Sequence, residues 1–459
     1  MPHFARPLVA GNWRPWLLRV ILVAGLAACG GGGDGGTGIG EVAGGGDAVA
    51  GGGTAGGGTG GTASGGGTTG NGGAMGGGGD VAVAQYRVFQ LTPYDDGSCH
   101  TCVNAAGQMA VTASHAGRFA TFFDGNTNTS RLLDFSPFRW SFATALNEAG
   151  QVAGGIQMDD GRTHAARWTP AAGSGPIPPL DLGAPEGGSS AGAAINEAGQ
   201  VAGTQSAVGG IGSSSPQRAF LWTEGSGRME LGEPPAPFTQ TSALRLNEAA
   251  QVAGSMRTDG PQPITHAFFW SAAAGLRDLG TFGGPNAIAK DLNDDGQVAG
   301  QAEFAPDPSQ EGLTHHAFLW SEQGGLRDLG TLGGRQSSAE ALNNAGQVVG
   351  QSDIALGSEP RPHAFLWSGG TMRDLGTLGG PSSIATAIND SGQVVGRSAL
   401  AGTDRTHAFI WTADRGMVDL NTRVSGVELL TAFAISRTGA ILAMSSDAFL
   451  VLLLPAAGS

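Results

Sequence analysis

Lysine is almost absent from this chain of 459 residues, and no run of arginines takes its place. Lys290 is the only lysine, and the formal net charge is −14. Nucleic acids and anionic membrane surfaces bind clustered positive charge, which this sequence does not offer. The composition therefore excludes nucleic acid as a partner, and it excludes direct binding of the folded surface to an anionic membrane.

The sequence also lacks helical signals and the common catalytic motifs. No segment sustains the apolar period of a helix, whereas short stretches alternate with a period of two, so we predict an all-β protein. The chain has no Gly-x-Ser-x-Gly elbow, no phosphate-binding loop and no His-Glu-x-x-His helix. We assign no catalytic residue, and the sequence favours a non-enzymatic protein without deciding the matter.

Residues 1–28 have the features of an export signal. Three arginines (Arg6, Arg14 and Arg19) make the leader positive, and the apolar stretch 16–28 is too short to span a bilayer. The leader ends in Leu26-Ala27-Ala28-Cys29, which resembles the lipobox of bacterial lipoproteins. In that family the signal is cut before the cysteine, the cysteine is acylated, and several acyl chains give stable anchoring. The alternative is an ordinary secretory signal with a chance cysteine.

The lipoprotein resemblance implies attachment to the membrane only through a lipid on Cys29. It also implies sorting to the outer membrane or the cell surface, because Gly30 rather than an aspartate follows the cysteine. Removal of the leader takes the net charge to about −17, since it carries three arginines and no acid.

Residues 29–80 are predicted to be a disordered, Gly-rich linker. Residues 30–80 contain 29 glycines and almost nothing apolar larger than Ala or Val, so they cannot form a core. A flexible chain of this length has a mean reach of about 40 Å, which suits a spacer. The alternative is low-complexity sequence that nothing selects. The folded domain is then residues 81–459.

The folded domain repeats one unit. Its pattern is Ala-x-(Ile/Leu)-Asn-x-x-Gly-Gln-Val-(Ala/Val)-Gly, then His-Ala-Phe-x-Trp, then Asp-Leu-Gly-Thr-Leu-Gly-Gly. The asparagine recurs at Asn147, Asn196, Asn247, Asn293, Asn343 and Asn389, with degenerate copies at Asn104 and Ser436. The tryptophans follow in step, 44 to 54 residues apart (Trp168, Trp222, Trp270, Trp320, Trp367, Trp411). Such a period is typical of solenoids, propellers and arrays.

Each unit contains four short strands, as the copy after Ser383 illustrates. Residues 383–389 alternate with a period of two, Asn389-Asp390-Ser391-Gly392 has the composition of a type I turn, and three more alternating stretches follow. Four strands in about 47 residues match one blade of a β-propeller. We therefore predict about eight four-stranded blades, or seven if the weak first or last copy forms none.

The two ends of the repeat region predict how the ring closes. Residues 86–91 look like the fourth strand of a unit, and residues 447–454 look like a third strand. The first strand would then complete the last blade and leave no open edge at the junction.

The repeated His-Ala-Phe-x-Trp and Asp-Leu-Gly-Thr-Leu-Gly-Gly segments resemble those of the bacterial extracellular HAF-repeat proteins, over roughly residues 86–454. That family is identified as secreted and β-rich, and the resemblance implies no activity, ligand or cofactor. The first copy, which lacks the histidine and the tryptophan, and the last copy depart from the pattern.

Five histidines and six acidic residues recur in register, and they invite comparison with a metal or proton-transfer ring. They are His164, His266, His316, His363 and His407, with Asp181, Glu230, Asp278, Asp328, Asp374 and Asp419 on the following strand; Arg218 takes the histidine position in one unit. A catalytic group is needed once, whereas a structural one is needed in every blade. We therefore predict a hydrogen bond or ion pair between neighbouring strands in each blade.

Asp291-x-Asn293-x-Asp295-Gly296 resembles the start of a calcium loop, because three side-chain oxygens alternate along a turn. No glutamate stands at the twelfth position, and the repeat turn already explains Asn293. We predict no metal and no other cofactor, and Ca²⁺ at these three residues is the alternative.

Cys99 and Cys102 are the only cysteines besides Cys29. Two thiols in an exported protein oxidise, so we predict a local disulfide between them.

These features favour a monomeric cell-envelope lipoprotein whose propeller binds a protein or glycan partner. Two alternatives stay open: an extracytoplasmic enzyme acting on glycans, with carboxylates facing each other across the channel, and a calcium-stabilised adhesion or structural surface protein. The sequence identifies no ligand, and it does not decide which face of the outer membrane carries the protein.

Overall fold

The computed structural model describes residues 86–93, 102–113, 119–133, 140–171, 173–210, 216–307, 314–355, 361–403 and 405–456. The predicted signal, the linker, Cys29 and Cys99 lie outside these ranges. Within them, the one helical element is a 3-10 turn at Leu420–Thr422. None of the helical structure in the described ranges has the length and hydropathy needed to cross a membrane.

The described chain is all-β and forms eight blades arranged in a ring, a β-propeller, as the sequence predicts. The strands of the first half are β1 (Tyr86–Pro93); β2 (Gln108–Ala113), β3 (Phe119–Asp124) and β4 (Thr129–Leu132) in blade 1; β5 (Ser141–Leu146), β6 (Val152–Gln157), β7 (Thr163–Trp168) and β8 (Pro179–Asp181) in blade 2; β9 (Ser189–Ile195), β10 (Val201–Ser206), β11 (Gln217–Thr223) and β12 (Gly227–Glu230) in blade 3; and β13 (Gln240–Leu246), β14 (Val252–Arg257), β15 (Thr265–Ser271) and β16 (Gly275–Asp278) in blade 4.

The second half continues the same order. Its strands are β17 (Gly283–Leu292), β18 (Val298–Phe304), β19 (His315–Ser321) and β20 (Gly325–Asp328) in blade 5; β21 (Gly333–Leu342), β22 (Val348–Ile354), β23 (Pro362–Ser368) and β24 (Thr371–Asp374) in blade 6; β25 (Gly379–Ile388), β26 (Val394–Leu400), β27 (Thr406–Thr412) and β28 (Gly416–Asp419) in blade 7; and β29 (Leu429–Ile435), β30 (Ile441–Ser445) and β31 (Phe449–Pro455) in blade 8. In blades 2 to 7 the strands pair antiparallel in chain order, and the first strand lies innermost, against the first strand of the next blade.

The first strand of the chain completes the last blade. β1 pairs antiparallel with β31, with Tyr86 opposite Pro455, so blade 8 has the order β1-β31-β30-β29. This is the closure that the two ends of the repeat predict. In blade 1 the described part of the innermost segment makes one isolated bridge, between Val103 and Met109.

The core lies between blades rather than within them. Eight clusters of buried apolar side chains each join one blade to the next, and the cluster of Cys102, Met109 and Leu452 closes the ring between blades 8 and 1. In the cluster between blades 5 and 6, Phe365 is fully buried and Trp367 is nearly so. Burial of each aromatic side chain contributes about 2–3 kcal/mol to stability. The repeated Phe-x-Trp is thus the packing unit of the ring.

The repeat asparagine opens a tight turn, which has the i to i+3 bond that the sequence predicts. In blade 7 the N–H of Gly392 donates to the carbonyl of Asn389 at 2.9 Å. Gly392 has φ +74°, and in blade 4 Ala250, with φ +58°, takes the equivalent position. Because side chains with a Cβ are strained at positive φ, glycine is preferred there.

The strict alternation predicted for residues 383–389 is wrong at one point. A β-bulge between Ala385 and Ala387 shifts the pairing of β25 with β26, so Ala387 and Ile388 are both buried. Similar bulges interrupt the innermost strands of five other blades and that of blade 8. An extra residue at a bulge turns the following side chains to the other face, which alternation alone does not reveal.

The ring has two different ends. At the turn end, the link between the first and second strands has five residues in each of seven blades (147–151, 196–200, 247–251, 293–297, 343–347, 389–393, 436–440). At the loop end, the link between the second and third strands varies from three residues (446–448) to ten (207–216). Blades 5 to 7 also have innermost strands of ten residues, which lengthen their hairpins at the loop end.

Candidate functional site

Histidine and aspartate of the repeat bind each other in five blades, near the loop end. The Nδ1 atom lies 2.9 Å from a carboxylate oxygen in His164–Asp181, His266–Asp278 and His316–Asp328, 2.8 Å in His363–Asp374 and 2.6 Å in His407–Asp419. The aspartate of the first four pairs also accepts from the N–H two residues further on, which orders the link to the next blade. The predicted bond between neighbouring strands is confirmed.

Electrostatics within these pairs are visible at Asp278. Burial acts to raise its pKa, but hydrogen bonds from His266 and from the N–H of Gly280, with the charge of His266, hold the pKa below its usual value. In blade 3 the histidine position belongs to Arg218, which pairs with Glu233 at 2.7 Å. The two members of each pair belong to one blade, although His407 Nε2 also lies 3.3 Å from Glu428, which precedes the first strand of blade 8. The five imidazoles do not converge on one centre.

A ring of asparagine side chains joins the blades at the turn end. Each Nδ2 donates to the backbone carbonyl of the equivalent residue in the next blade. The bonds are Asn104–Asn147 (3.1 Å), Asn147–Asn196 (2.9 Å), Asn196–Asn247 (3.2 Å), Asn247–Asn293 (2.9 Å), Asn293–Asn343 (3.1 Å), Asn343–Asn389 (3.1 Å) and Asn389–Ser436 (3.0 Å). Thr438 completes the circle by donating to the carbonyl of Ala105 at 2.9 Å.

A second, acidic ring surrounds the turn end, one residue after each asparagine. Its members are Glu148, Glu197, Glu248, Asp294, Asn344 and Asp390, and each accepts from the backbone N–H at the same position in the preceding blade. Burial raises the pKa of Glu248, the N–H of Glu197 lowers it, and the neighbouring Glu197 and Asp294 carboxylates raise it. These carboxylates hold blades together although their charges repel one another.

Two of the three residues that resemble the start of a calcium loop bind protein partners. Asp291 accepts from Arg245 at 3.1 Å and from the N–H of Leu342 at 2.9 Å, while Asn293 is a member of the asparagine ring. Burial raises the pKa of Asp291, opposed by the charge of Arg245. Asp295 is exposed on the turn. The three side chains therefore do not share one centre.

Four charged residues interrupt the repeat on the innermost strands of blades 4 to 6. Arg245 pairs with Asp291, and Lys290 pairs with Glu340 at 3.3 Å, so each pair joins two adjacent blades. The side chains are 15–27% exposed, and they belong to the innermost strands, which surround the central channel in a propeller. Blades 2, 3, 7 and 8 carry Ala, Thr or Phe at these positions.

We call these four residues the channel quartet. It was not predicted from the sequence, because the predicted pairs join strands of one blade, whereas these pairs join two blades. A comparison of the repeat copies at two positions, the third and the second before each repeat asparagine, would have identified these charged residues. Arrangements that occur in one part of a repeat protein are where a single function is to be sought.

Of the predicted disulfide, only one partner is described. Cys102 is fully buried and disulfide-bonded. Cys99 and Cys29 lie outside the described residues, so the pairing and the lipid site stay predictions.

Neither a protein-family model nor a curated protein matches this chain. Among solved structures, the chain is similar to the β-propeller domain of the Trilobed protease from Pyrococcus furiosus, at 10% identity and TM-score 0.41, over 75% of this chain and 99% of that one. It is also similar to a puromycin hydrolase (13%, TM-score 0.42, 77% of this chain and 60% of that one) and to a puromycin-hydrolyzing peptidase from Mycobacterium tuberculosis (11%, TM-score 0.39, 73% and 57%).

The chain thus spans about three fifths of the length of the two puromycin-hydrolysing proteins. Likeness at this level concerns the fold alone, and the activities named belong to those proteins. The class of protein defined by the structure is an eight-bladed β-propeller with a ring of asparagines at one end and irregular loops at the other.

Proposed function

We propose that this chain is a cell-envelope lipoprotein whose propeller serves as a binding module, with the loop end as its binding face. The observation that carries the proposal is the difference between the two ends. At the turn end the link between the first and second strands has five residues in seven blades, and of the links between the third and fourth strands only that of blade 2 (169–178) is longer than four residues. At the loop end the links between the second and third strands have three to ten residues. Recognition residues are usually carried on variable loops held by a rigid scaffold.

The point at which the chain enters the ring supports this orientation. Tyr86 pairs with Pro455 at the turn end of blade 8, and β1 then runs toward the loop end. A tether arriving at Tyr86 from Cys29 joins the ring away from the loop end. The binding face is then free to meet a protein or glycan partner outside the cell, and the resemblance to secreted repeat proteins supports this part of the proposal.

The anchor is tested by labelling cells that express the full chain with a radioactive fatty acid. We expect label on the wild-type chain, globomycin-sensitive processing, and neither in Cys29→Ala. Processing that is unchanged by globomycin and by Cys29→Ala, together with no label on the wild-type chain, would contradict the lipoprotein assignment.

The binding face is tested with the purified full chain on glycan and peptide arrays. We expect selective binding that is lost when the ten-residue link 207–216 is shortened to the five residues of blade 7, with Glu197→Ala at the turn end as the matched control. Binding abolished by the control and retained by the loop variant would place recognition at the wrong end.

A second candidate, an extracytoplasmic enzyme acting on glycans, is favoured by the channel quartet. Glu340 is a carboxylate beside the only lysine of the chain, on a wall of the channel that the repeat does not explain. Under this alternative Glu340→Gln abolishes turnover of a glycan while leaving the melting temperature nearly unchanged. Thr386→Ala, at the same position in blade 7, is the control and leaves turnover intact. Loss of stability without loss of any turnover would leave the pair a structural one.

A further inference from the structure

Blades 5, 6 and 7 share one loop at the loop end, and the three copies have the same residue spacing and strand register. In each, the threonine of the Asp-Leu-Gly-Thr segment donates to the carbonyl of the second following glycine, at 2.8 Å from Thr281, 2.9 Å from Thr331 and 2.9 Å from Thr377. That glycine packs on the Cβ of one residue of the second strand. The packed residues are Glu303, Asp353 and Ala399, beneath Gly284, Gly334 and Gly380.

In two of the three blades a carboxylate fills the space beside this loop. The backbone N–H and the side-chain Nδ2 of Asn286 donate to Glu303 Oε2 at 3.1 and 2.9 Å. In blade 6, Asp353 accepts from the backbone N–H of Gln336, which stands at the position of Asn286. In both blades the loop therefore offers a backbone N–H to a carboxylate at this position, although burial raises the pKa of Asp353.

Blade 7 lacks the carboxylate and has a cavity in that place. Ala399 replaces the acid, and a cavity of about 250 Å³ opens. It is lined by Ser382, Ser383, Ile384, Arg397, Ala399 and Thr406. Ser382 stands at the position of Asn286 and Gln336, and Arg397 replaces the glutamines Gln301 and Gln351 of the two sister blades. This blade has thus lost one negative charge and gained one positive charge.

The polar groups of the cavity are available to a ligand. Within the described part of the chain, the guanidinium of Arg397 and the hydroxyls of Ser382 and Thr406 have no hydrogen-bond or ion-pair partner. Ser383 is already engaged, because it accepts from the N–H of Ala364 and donates to the carbonyl of Gly376. Ser383 and Ile384 therefore serve as walls.

We propose that this cavity binds the carboxylate group of a small ligand, in the place that Glu303 and Asp353 fill in the sister blades. The ligand carboxylate accepts from the backbone and hydroxyl of Ser382 and pairs with Arg397, whose planar guanidinium suits a carboxylate. A cavity of this volume, below the range of drug-sized pockets, holds the carboxylate and the few atoms attached to it. The proposal rests on the loop end being the binding face and names what one part of it binds.

The test is titration calorimetry of the purified full chain with D-glucuronate and with N-acetylglycine, at matched ionic strength, with D-glucose as the neutral control. We expect saturable binding of at least one acid and none of glucose. Glucuronate binding alone indicates a sugar acid as the source of the carboxylate, and N-acetylglycine binding alone indicates a peptide terminus. Absence of binding by both acids, or equal binding of glucose, overturns the proposal.

Two variants introduce residues that stand at the equivalent positions of blades 5 and 6, so both are expected to fold. Arg397→Gln is expected to weaken binding about tenfold or more, because a hydrogen-bonded ion pair is lost. Ala399→Asp supplies the missing carboxylate from within and is expected to abolish binding while raising the melting temperature. Unchanged affinity in Ala399→Asp contradicts the proposal. If calorimetry detects no binding of the acids but the arrays detect a partner, the proposed binding module stands and the cavity proposal is wrong. If calorimetry detects binding but the arrays detect no partner, only the binding module is contradicted.

Discussion

The side chain of Asn389 donates to the backbone carbonyl of Ser436 at 3.0 Å, and so passes a hydrogen bond from blade 7 to blade 8. The same bond links each earlier pair of blades from Asn104 onward. In blade 8 a serine replaces the asparagine, and Thr438 makes the last connection to blade 1. The residue most regular in the sequence is thus the one that sets the spacing between blades.

Replacing one of these asparagines removes a buried bond at a blade boundary. We expect Asn343→Ala to lower the free energy of unfolding by about 1–3 kcal/mol, because the carbonyl of Asn389 and the amide of Gln347 lose a buried partner. Chemical denaturation measures the change. Asp295→Ala, at an exposed turn position of blade 5, is the control and is expected to cost much less; equal costs would contradict a special role for the asparagine ring.

Backbone strain at Ala250 predicts a stabilising substitution. Ala250 has φ +58° where other blades have glycine, and a left-handed alanine costs about 1–2 kcal/mol. We expect Ala250→Gly to raise the free energy of unfolding by about 0.5–1 kcal/mol after the entropy of glycine is subtracted, and Gly392→Ala to lower it. A melting temperature that moves the same way in both variants would refute the explanation.

The histidine–aspartate pairs are expected to be modest stabilisers. His363 pairs with Asp374, whose side chain is 42% exposed, and pairs of this kind contribute about 0–1 kcal/mol. His363→Ala should therefore unfold at slightly lower denaturant concentration, with any ligand binding or turnover intact. A double-mutant cycle with Asp374→Ala isolates the pair, and loss of an activity at unchanged stability would instead indicate a functional histidine.

Tyr86 predicts how stability changes at high pH. Burial raises the pKa of Tyr86 to about 12, and the charge of Arg423 opposes the rise. Because the folded state keeps this phenol protonated, its contribution to stability is complete below about pH 10 and is lost as the pH rises through about 12. Denaturation across this range should show the decline in the wild-type chain and a flatter profile in Tyr86→Phe. An identical decline in both would assign the effect to other groups.

Metal removal is expected to have little effect on the folded ring. Asp291 is bound by Arg245 and by the N–H of Leu342, so a cation at Asp291, Asn293 and Asp295 would have to displace protein partners. The melting temperature in EDTA should stay within experimental error of that in added Ca²⁺. A large drop in EDTA would restore the calcium-stabilised alternative.

Much of the fold was predictable because the same turn and packing residues recur in most copies of the repeat. Asn-x-x-Gly specified the turn, Phe-x-Trp the packing between blades, and the first and last strands the closure. Side-chain direction along the innermost strands was not predictable, since the bulge at residues 385–387 depends on how β25 meets its neighbour. A bulge leaves no mark in composition or alternation.

The candidate sites were harder to predict from the sequence, for a related reason. Reading one blade at a time explains His363 and Asp374, which share a blade, but Arg245 and Asp291 meet only across a boundary. Likewise nothing in its own strand distinguishes Ala399, and its role can be inferred only by comparison with Glu303 and Asp353 at the equivalent positions of blades 5 and 6. Departures from the repeat were visible in the sequence, but their neighbours were not.

The pairing of β1 with β31 also sets an order of events during folding. Tyr86 leaves the ribosome and crosses any export channel long before Pro455, its partner. Blades 1 to 7 can pair their strands as they emerge, whereas the ring stays open until nearly the whole folded chain has been delivered. Closing so long a loop is slow compared with forming local hairpins. The strand that seals the ring is made first and used last.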